Sequence, residues 1–436
     1  MNKRIVAGID IGSSKITTII ASVPEQGLLN VIGVASNLSR GIRKGQIVDI
    51  EEATKSIVES LEAAERMAGY QISSAFLSVG GSHVASQNSH GVVAVAEPQK
   101  EINALDVKRA VDAARAVSMP STREILHVIA REFIVDSQEG IKDPIGMTGV
   151  RLEVNTHLIT VGSTALRNLE KCAQLVGIDV DGFVYNGLAS SMAVLTETEK
   201  ELGVVQADIG AGTIDVSIFI DGALSYSSVL PIGARNITND MAIGLRISLE
   251  SAEKIKLFLN KKTTEVAYPQ FEQLTSHKKE KGKEANDDID LTSLQLPEGL
   301  LKVSRKTVIE GIIKPRLNEI FTMIGLEIKK SGFGGLTPAG LVVSGGGSET
   351  MGILEAARRN LAIQVRVGTP SNVAGLIDEI IQPSFATAIG LVLQGATQTS
   401  AVKDKFTFGR LSKYMSQLPI GGIAAKVVDL VKSFLP

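Results

Sequence analysis

Cysteine is almost missing from this 436-residue sequence, and its one copy, Cys172, excludes an intrachain disulfide and fits a reducing compartment. The apolar surroundings of Cys172, Leu169 to Val176, make it a small buried hydrophobe rather than a nucleophile. The histidines, His83, His90, His127, His157 and His277, are dispersed and show no metal-ligand spacing. No apolar run reaches the roughly 18 residues of a membrane-crossing helix, so none is expected. Lys3 and Arg4 precede an apolar run, but Asp10 interrupts it too early for a signal peptide, and the first residues read as a strand. A net charge of -2 gives no global attraction to nucleic acid, and no nucleic-acid partner is expected. What remains is a soluble chain too long for one core, with about two to four domains or subdomains.

What the chain does have is one turn written twice. Asp10-Ile11-Gly12-Ser13-Ser14-Lys15 and Asp208-Ile209-Gly210-Ala211-Gly212-Thr213-Ile214-Asp215 each follow a short strand-like run and lead into another. Each reads as a hairpin with an acidic residue at its mouth, and the duplication predicts two like-folded halves clamping a nucleotide phosphate tail. Glycines at 12, 210 and 212 are expected to let the backbone approach phosphate oxygens and to take positive φ. Successive backbone N–H groups there form an anion-binding concavity. Ser13, Ser14 and Thr213 add hydroxyl donors, and Lys15 adds a positive charge. Asp10, Asp208 and Asp215 would repel phosphate directly, so they are expected to hold Mg²⁺ through water.

Strands and helices alternate along the rest, which predicts α/β architecture. Strands are expected at Leu29–Val34, Ile72–Val79 and Gly182–Tyr185, and helices at Ile50–Ala68, Thr164–Val176 and Ala189–Glu197. Residues 82–161 look like a separate inserted unit, with a strand at Val92–Val95, a helix from Asn103 past Ala116 and a strand at Ile125–Val135. A third glycine-rich element, Leu341 to Ser348, joins a strand to a helix over Met351–Arg359, and Gly345, Gly346 and Gly347 suit close approach to an adenosine face. On a helix near Ser251, Glu253 and Lys256 either face the ribose and base or form a solvated (i, i+3) pair.

In order, these elements resemble the actin, heat-shock chaperone and sugar-kinase ATPase superfamily. Within it the chain is similar to the FtsA family of bacterial cell-division proteins. Gly8 to Lys15, Gly41-Ile42-Arg43-Lys44-Gly45, Ser78-Val79-Gly80-Gly81, Asp208 to Thr213 and Pro370 to Leu376 carry that likeness over nearly the whole chain. The resemblance implies an actin-like ATPase fold: two ribonuclease H-like halves around a nucleotide cleft, with connecting helices at Tyr185–Glu197 and Pro383–Gln394. The first half would comprise residues 1–81 and 162–203. The second would cover 204–395, with a smaller subdomain near 235–325. The resemblance further implies ATP and Mg²⁺ as cofactors and self-assembly into an actin-like polymer. It implies a tether between FtsZ and the cytoplasmic face of the inner membrane at the septum, and contacts of the insertion with later division proteins.

One departure bears on catalysis. In the chaperone branch an acidic residue before the first connecting helix orients the attacking water, and here Gly187 falls at that position. Water activation would rest on Asn186, Asp208 or the metal, so tight ATP binding with slow hydrolysis is expected.

Two further segments stand out. Ile420, Ile423, Val427, Leu430, Val431 and Phe434 recur at helical spacing, with Lys426, Asp429 and Ser433 opposite and Lys432 flanking. Residues 419–436 therefore read as a short amphipathic helix at a membrane surface, or one docked on a partner. Residues 396–418 before it read as a flexible linker. The charged stretch Asn260–Pro297 is expected to be a solvated, partly disordered insertion. An FtsZ contact is placed by the resemblance on its flanks, including Arg305–Ile328. Two other readings share the hairpins: an assembly ATPase of a pilus or secretion system, and a metabolite kinase.

Overall fold

The computed structural model describes residues 4–24, 27–95, 101–266, 287–376 and 380–401. The chain divides into two compact units, Met1–Gly395 and Ala396–Pro436. Of the second unit only the end of one helix is described, so the expected linker largely, and the amphipathic segment with all its named residues wholly, lie outside the described residues. So do His277 and most of the charged stretch.

The first half opens with β1 (Arg4–Ile11), β2 (Lys15–Val23) and β3 (Leu29–Leu38), then a short hairpin of β4 (Ile42–Arg43) and β5 (Gln46–Ile47). Helix α1 (Ile50–Ala68) follows and has the predicted limits. Asp49 caps its start by accepting from the Glu52 N–H, and Gly69 ends it in the left-handed region at φ 68°. Its buried face, Ala53, Ile57, Leu61 and Ala64, repeats at helical spacing and lies on β3. Strand β6 (Ser74–Val79) then enters the sheet.

The inserted unit holds β7 (Ala85–Ala94), α2 (Ala104–Arg115), β8 (Arg123–Val135), β9 (Gln138–Ile141) and β10 (Arg151–Gly162), with strand order β7-β10-β8-β9. Leu152, Val154, Phe133, Ala110 and Ala114 form its own core. Two expectations fall short here. Strand β7 begins well before Val92, because its polar run, Ala85 to His90, hides the alternation. Helix α2 stops at Arg115 rather than passing Ala116, although it starts where expected, with Asn103 forming a capping box with Asp106.

After α3 (Ser163–Val176), β11 (Asp179–Tyr185) joins the first sheet beside β6, and α4 (Asn186–Val194) and α5 (Glu197–Leu202) lead into the second half. The first connecting helix, expected over Tyr185–Glu197, thus starts at Asn186, earlier than the helix read from Ala189, and is broken at Leu195. The Thr196–Glu199 capping box opens a new helix there. In the second half come β12 (Val204–Ile209), β13 (Ile214–Ile220), β14 (Ala223–Leu230), α6 (Ala234–Leu245) and α7 (Leu249–Val266). They continue with β15 (Asp288–Asp290), β16 (Lys302–Ser304), a π-helical stretch over Lys306–Ile313 and α8 (Lys314–Ser331). Part of the charged stretch is therefore ordered, since β15 pairs with β16. The chain closes with β17 (Leu341–Ser344), α9 (Ile353–Leu361), β18 (Val365–Val367), β19 (Val373–Gly375) and α10 (Ala386–Ala401). Helix α10 continues past Gln394 to Ala401.

The two main sheets repeat one topology. The first runs β11-β6-β1-β2-β3-β19 and the second β14-β13-β12-β17-β18. In each, three antiparallel strands in succession are joined by two parallel strands on the side of the first. The expected pair of ribonuclease H-like halves is what the chain forms. The first sheet alone gains an edge, β19, which lies parallel to β3. Helices α4 and α10 cross between the halves so closely that any side chain at Gly390 would collide with the Ala189 carbonyl.

Candidate functional site

Each phosphate turn is built by its own short strand pair. In the first, Gly12 N–H donates to the Lys15 carbonyl at 3.1 Å, and in the second Gly210 N–H donates to the Thr213 carbonyl at 2.9 Å. The two rings have the same size and the same place in their sheets. Contrary to expectation, Gly12, Gly210 and Gly212 are not among the residues of positive φ. Glycine is needed there for space: a Cβ on Gly12 would stand 2.7 Å from the Lys15 carbonyl oxygen, and one on Gly212 would stand 3.1 Å from Ser13 Oγ. The two turns thus meet tip to tip.

Asp208 and Asp215 are buried and Asp10 is half-buried, and two of the three are held by hydroxyls. Asp10 Oδ1 accepts from Ser78 Oγ at 2.9 Å, and Ser78 in turn accepts from the Ile11 N–H at 2.8 Å. Asp208 Oδ2 accepts from Thr387 Oγ1 at 2.8 Å. Asp208 and Asp215 stand directly opposite one another across β12 and β13, an arrangement that like charges disfavour. Burial pushes the Asp10 carboxyl up, opposed by the Ser78 hydrogen bond and Lys15. Burial lifts Asp208 to about 6, and burial followed by the charges of Asp208 and Asp10 drives Asp215 well above its usual range. Asp215 Oδ1 and Asn186 Oδ1 are buried with no hydrogen-bond partner. Among the described residues no three carboxylates or imidazoles gather as a metal-ligand cluster.

Lys15 Nζ lies 4.1 Å from the centroid of the Phe385 ring. Burial lowers its pKa, countered by the charges of Asp10, Glu349 and Asp208. Glu253 and Lys256 are paired at 2.8 Å, and Lys256 also donates to Thr238 Oγ1 at 2.9 Å. Lys256 is only 6% exposed while the Glu253 side chain keeps 43% of its surface, so the pair is solvated on its acidic side alone. The glycine triplet packs on the second turn. Gly345 has φ 78°, and a side chain there would collide with Asp208 Oδ1, while Gly346 is open apart from Ser384 Cβ at 3.6 Å.

One cavity of about 340 Å³, within the usual range for ligand sites, lies between the two turns and the glycine triplet. Asp10, Gly12 to Lys15, Asn186, Asp208, Gly210 to Thr213, Asp215, Glu253, Lys256 and Gly345 to Gly347 come together there from residues more than 300 apart in sequence. Sequence reasoning missed Ser78, Glu349, Asn260, Ser384 and Thr387. None of them was marked as a site residue by its local pattern, although Ser78 stands in the Ser78-Val79-Gly80-Gly81 motif. Gly187 explains itself here: a Cβ would lie 2.5 Å from Ser217 Oγ and 2.7 Å from the Tyr185 ring. No carboxylate fits at that position. Three of the other expected singles are structural. Cys172 is buried, His157 Nδ1 and Nε2 pair with Asn88 and Ser227, and His127 Nε2 accepts from the Tyr185 N–H.

Comparison with known proteins places this geometry. Residues 81–160 match the family model described as the SHS2 domain inserted in FtsA, and residues 205–390 match that of cell division protein FtsA. The cell division protein FtsA of Pseudomonas aeruginosa is 38% identical over 399 residues, covering 91% of this chain and 90% of that protein. That of Borreliella burgdorferi is 38% identical over 418 residues, covering 96% and 95%. The Escherichia coli K12 protein is 34% identical over 401 residues, covering 90% and 91%. Among solved structures, a PilM-PilN type IV pilus biogenesis complex aligns with TM-score 0.58 at 14% identity, covering 90% of this chain and 98% of that one. MreB5 of Spiroplasma citri bound to AMPPNP aligns with TM-score 0.52 at 11% identity, covering 93% and 100%. At such identities the likeness is one of fold, the actin-like ATPase fold.

Proposed function

The chain belongs to the FtsA family of cell division proteins, and from that premise we propose that it is an ATP-binding, actin-like scaffold that polymerises on the cytoplasmic face of the membrane. In this reading it tethers FtsZ filaments there through its C-terminal segment and recruits later division proteins through the inserted unit. The observation that carries the nucleotide part is the single cavity shared by two matched turns and a glycine triplet. A fold neighbour bound to AMPPNP supports the same choice of ligand. The pilus and kinase readings share the fold but not the family.

The residues present fit Mg²⁺ as the partner ion. Burial makes Asp10, Asp208 and Asp215 costly to charge, with repulsion from neighbouring carboxylates adding to it at Asp208 and Asp215, and Asp215 Oδ1 has no partner of its own. Through water, these three carboxylates would hold a divalent cation, which would supply charge to offset that of the phosphates. The protein groups do the rest. Turn N–H groups and the hydroxyls of Ser13, Ser14 and Thr213 receive phosphate oxygens. Lys15, backed by Phe385, supplies charge, and Glu253 with Lys256 meets the ribose end. Gly187 leaves no carboxylate in the first turn of α4, so orienting water would fall to Asn186, Asp208 or the ion. Hydrolysis then proceeds no faster than about one turnover per second, against a median enzyme near 10 s⁻¹.

Membrane attachment and assembly support one another in this scheme. A single short amphipathic helix anchors weakly, and linked binding raises avidity by about 10²–10⁴. Liposome co-sedimentation with and without ATP·Mg²⁺, comparing the full chain with one truncated after Ser416, tests this. ATP-enhanced binding that disappears on truncation is the expected result. Undiminished binding after truncation, or equally tight binding by assembly-blocked monomers, would overturn it.

A further inference from the structure

Between the two phosphate turns sits a third, smaller one. Strands β4 and β5 pair Ile42 with Ile47 and Arg43 with Gln46, leaving Lys44-Gly45 as a two-residue turn. Both residues have positive φ, 47° and 72°. That is the type I′ conformation, whose first position suits Asn, Asp or Gly. A lysine is out of place there, and such departures from backbone preference gather at functional sites.

The turn is wedged at the cleft mouth. A Cβ on Gly212 would lie 3.2 Å from both Lys44 Cα and Lys44 N, so the Lys44 backbone rests against the tip of the second phosphate turn. Gly45 N–H donates to Ser13 Oγ at 2.8 Å, which fastens it to the first. Behind it, Gly45 is packed on the backbone of Gly80 and Gly81, with 2.8 Å left for a Cβ. Gly45 itself lines the cavity. Lys44 is exposed and takes no part in the ion pairs found among the described residues.

Charge gives this position a purpose. The cavity is lined by five carboxylates, Asp10, Asp208, Asp215, Glu253 and Glu349, against the ammonium groups of Lys15 and Lys256. Lys256 is engaged by Glu253 and Thr238. With one of the two lining ammonium groups already engaged, a polyphosphate carrying several negative charges would gain from a further cation at the turn tips. We propose that Lys44 is a phosphate-binding residue whose ammonium group engages the terminal phosphate of the bound nucleotide from the mouth of the cleft. This rests on the nucleotide reading of the same cavity.

The turn makes the test two-sided. In Lys44→Asn the residue suits its backbone better, so the fold should melt at the same or a higher temperature, while ATP affinity falls on the order of tenfold, as for one lost charge-assisted contact. Calorimetric titration of the full chain with Mg²⁺ and ATP, ADP or adenosine reads this directly. The expected loss is greatest for ATP, smaller for ADP and absent for adenosine, and Lys44→Arg keeps most of the ATP affinity. ATP binding by Lys44→Asn within twofold of the unaltered chain would overturn the inference and leave the nucleotide reading standing. So would equal losses in Lys44→Asn and Lys44→Arg, which would assign a structural role. No ATP binding by the unaltered chain would overturn both.

Discussion

Thr387 and Asp208 are 179 residues apart in sequence and are joined at 2.8 Å, hydroxyl to carboxylate, in the floor of the cleft. Helix α10 thereby holds the acidic mouth of the second phosphate turn. Thr387→Val removes the donor from a buried acceptor, a loss of about 1–3 kcal/mol. The Asp208 carboxyl, already at about 6 through burial, loses a contact that lowers it and rises further. Nucleotide affinity in the presence of Mg²⁺ should fall several-fold at pH 7, and its pH midpoint should move upward. Titrations between pH 6 and 8 check this, and an unchanged midpoint would count against the role of Asp208.

Gly187 tolerates no side chain. With Ser217 Oγ at 2.5 Å and the Tyr185 ring at 2.7 Å from an added Cβ, Gly187→Ala should lower stability by about 1–3 kcal/mol through overpacking. Gly187→Glu should not restore fast hydrolysis, because the carboxylate has nowhere to sit. Thermal melts and phosphate release on the two variants decide the matter. A stable, faster Gly187→Glu enzyme would be the contrary result.

Two buried histidines predict acid sensitivity. Burial holds His127 at about 4, and burial with the charge of Arg131 holds His157 at about 3. Both folded-state values lie below the ordinary 6.5, so the unfolded chain takes up protons first as pH falls. Their contribution is complete above pH 6.5 and is lost as pH falls towards the folded values. The loss approaches about 1.4 kcal/mol per pH unit for each residue. Urea denaturation from pH 7.5 to 5 should show a falling midpoint, and His157→Gln should flatten the slope. A midpoint flat over that range in the unaltered chain would contradict it.

Helix α2 lies on β7 at Gly91, where any side chain would collide with the Ala110 carbonyl. Gly91→Ala should lift the helix off Leu152 and Val154 and loosen the inserted unit alone. Hydrogen exchange should rise in residues 101–162 while ATP affinity stays unchanged. Exchange spreading evenly into both halves would show the insertion to be a support for the cleft.

The two phosphate turns were legible because each is a local object: strand, glycine, hydroxyl and strand within about ten residues. So was α1, whose cap, stripe and terminal glycine agree. The site residues that escaped, Ser78, Glu349 and Thr387, act across the fold, and no local pattern marks a hydroxyl that will meet a carboxylate 68 or 179 residues away. Strand β7 escaped because Ser86 to His90 are polar on both faces. The conformation of Gly12 was misjudged because tight packing against Lys15, rather than a left-handed backbone, demands glycine there. The break at Leu195 turned on a capping box that competes with continuing the helix.

Strand β19 has a consequence for synthesis. The edge of the first sheet at β3 is made early, yet its neighbour comes only with Val373 to Gly375. At about 5–20 residues per second, a ribosome needs on the order of half a minute between the two. Through that interval a nascent chain displays an unpaired strand edge of the kind that invites mispairing. Leu38 at the free end of β3 is exposed even in the finished molecule. A trigger for aggregation during translation is therefore expected at β3, and arrested chains ending before residue 373 should be the ones that depend most on chaperones.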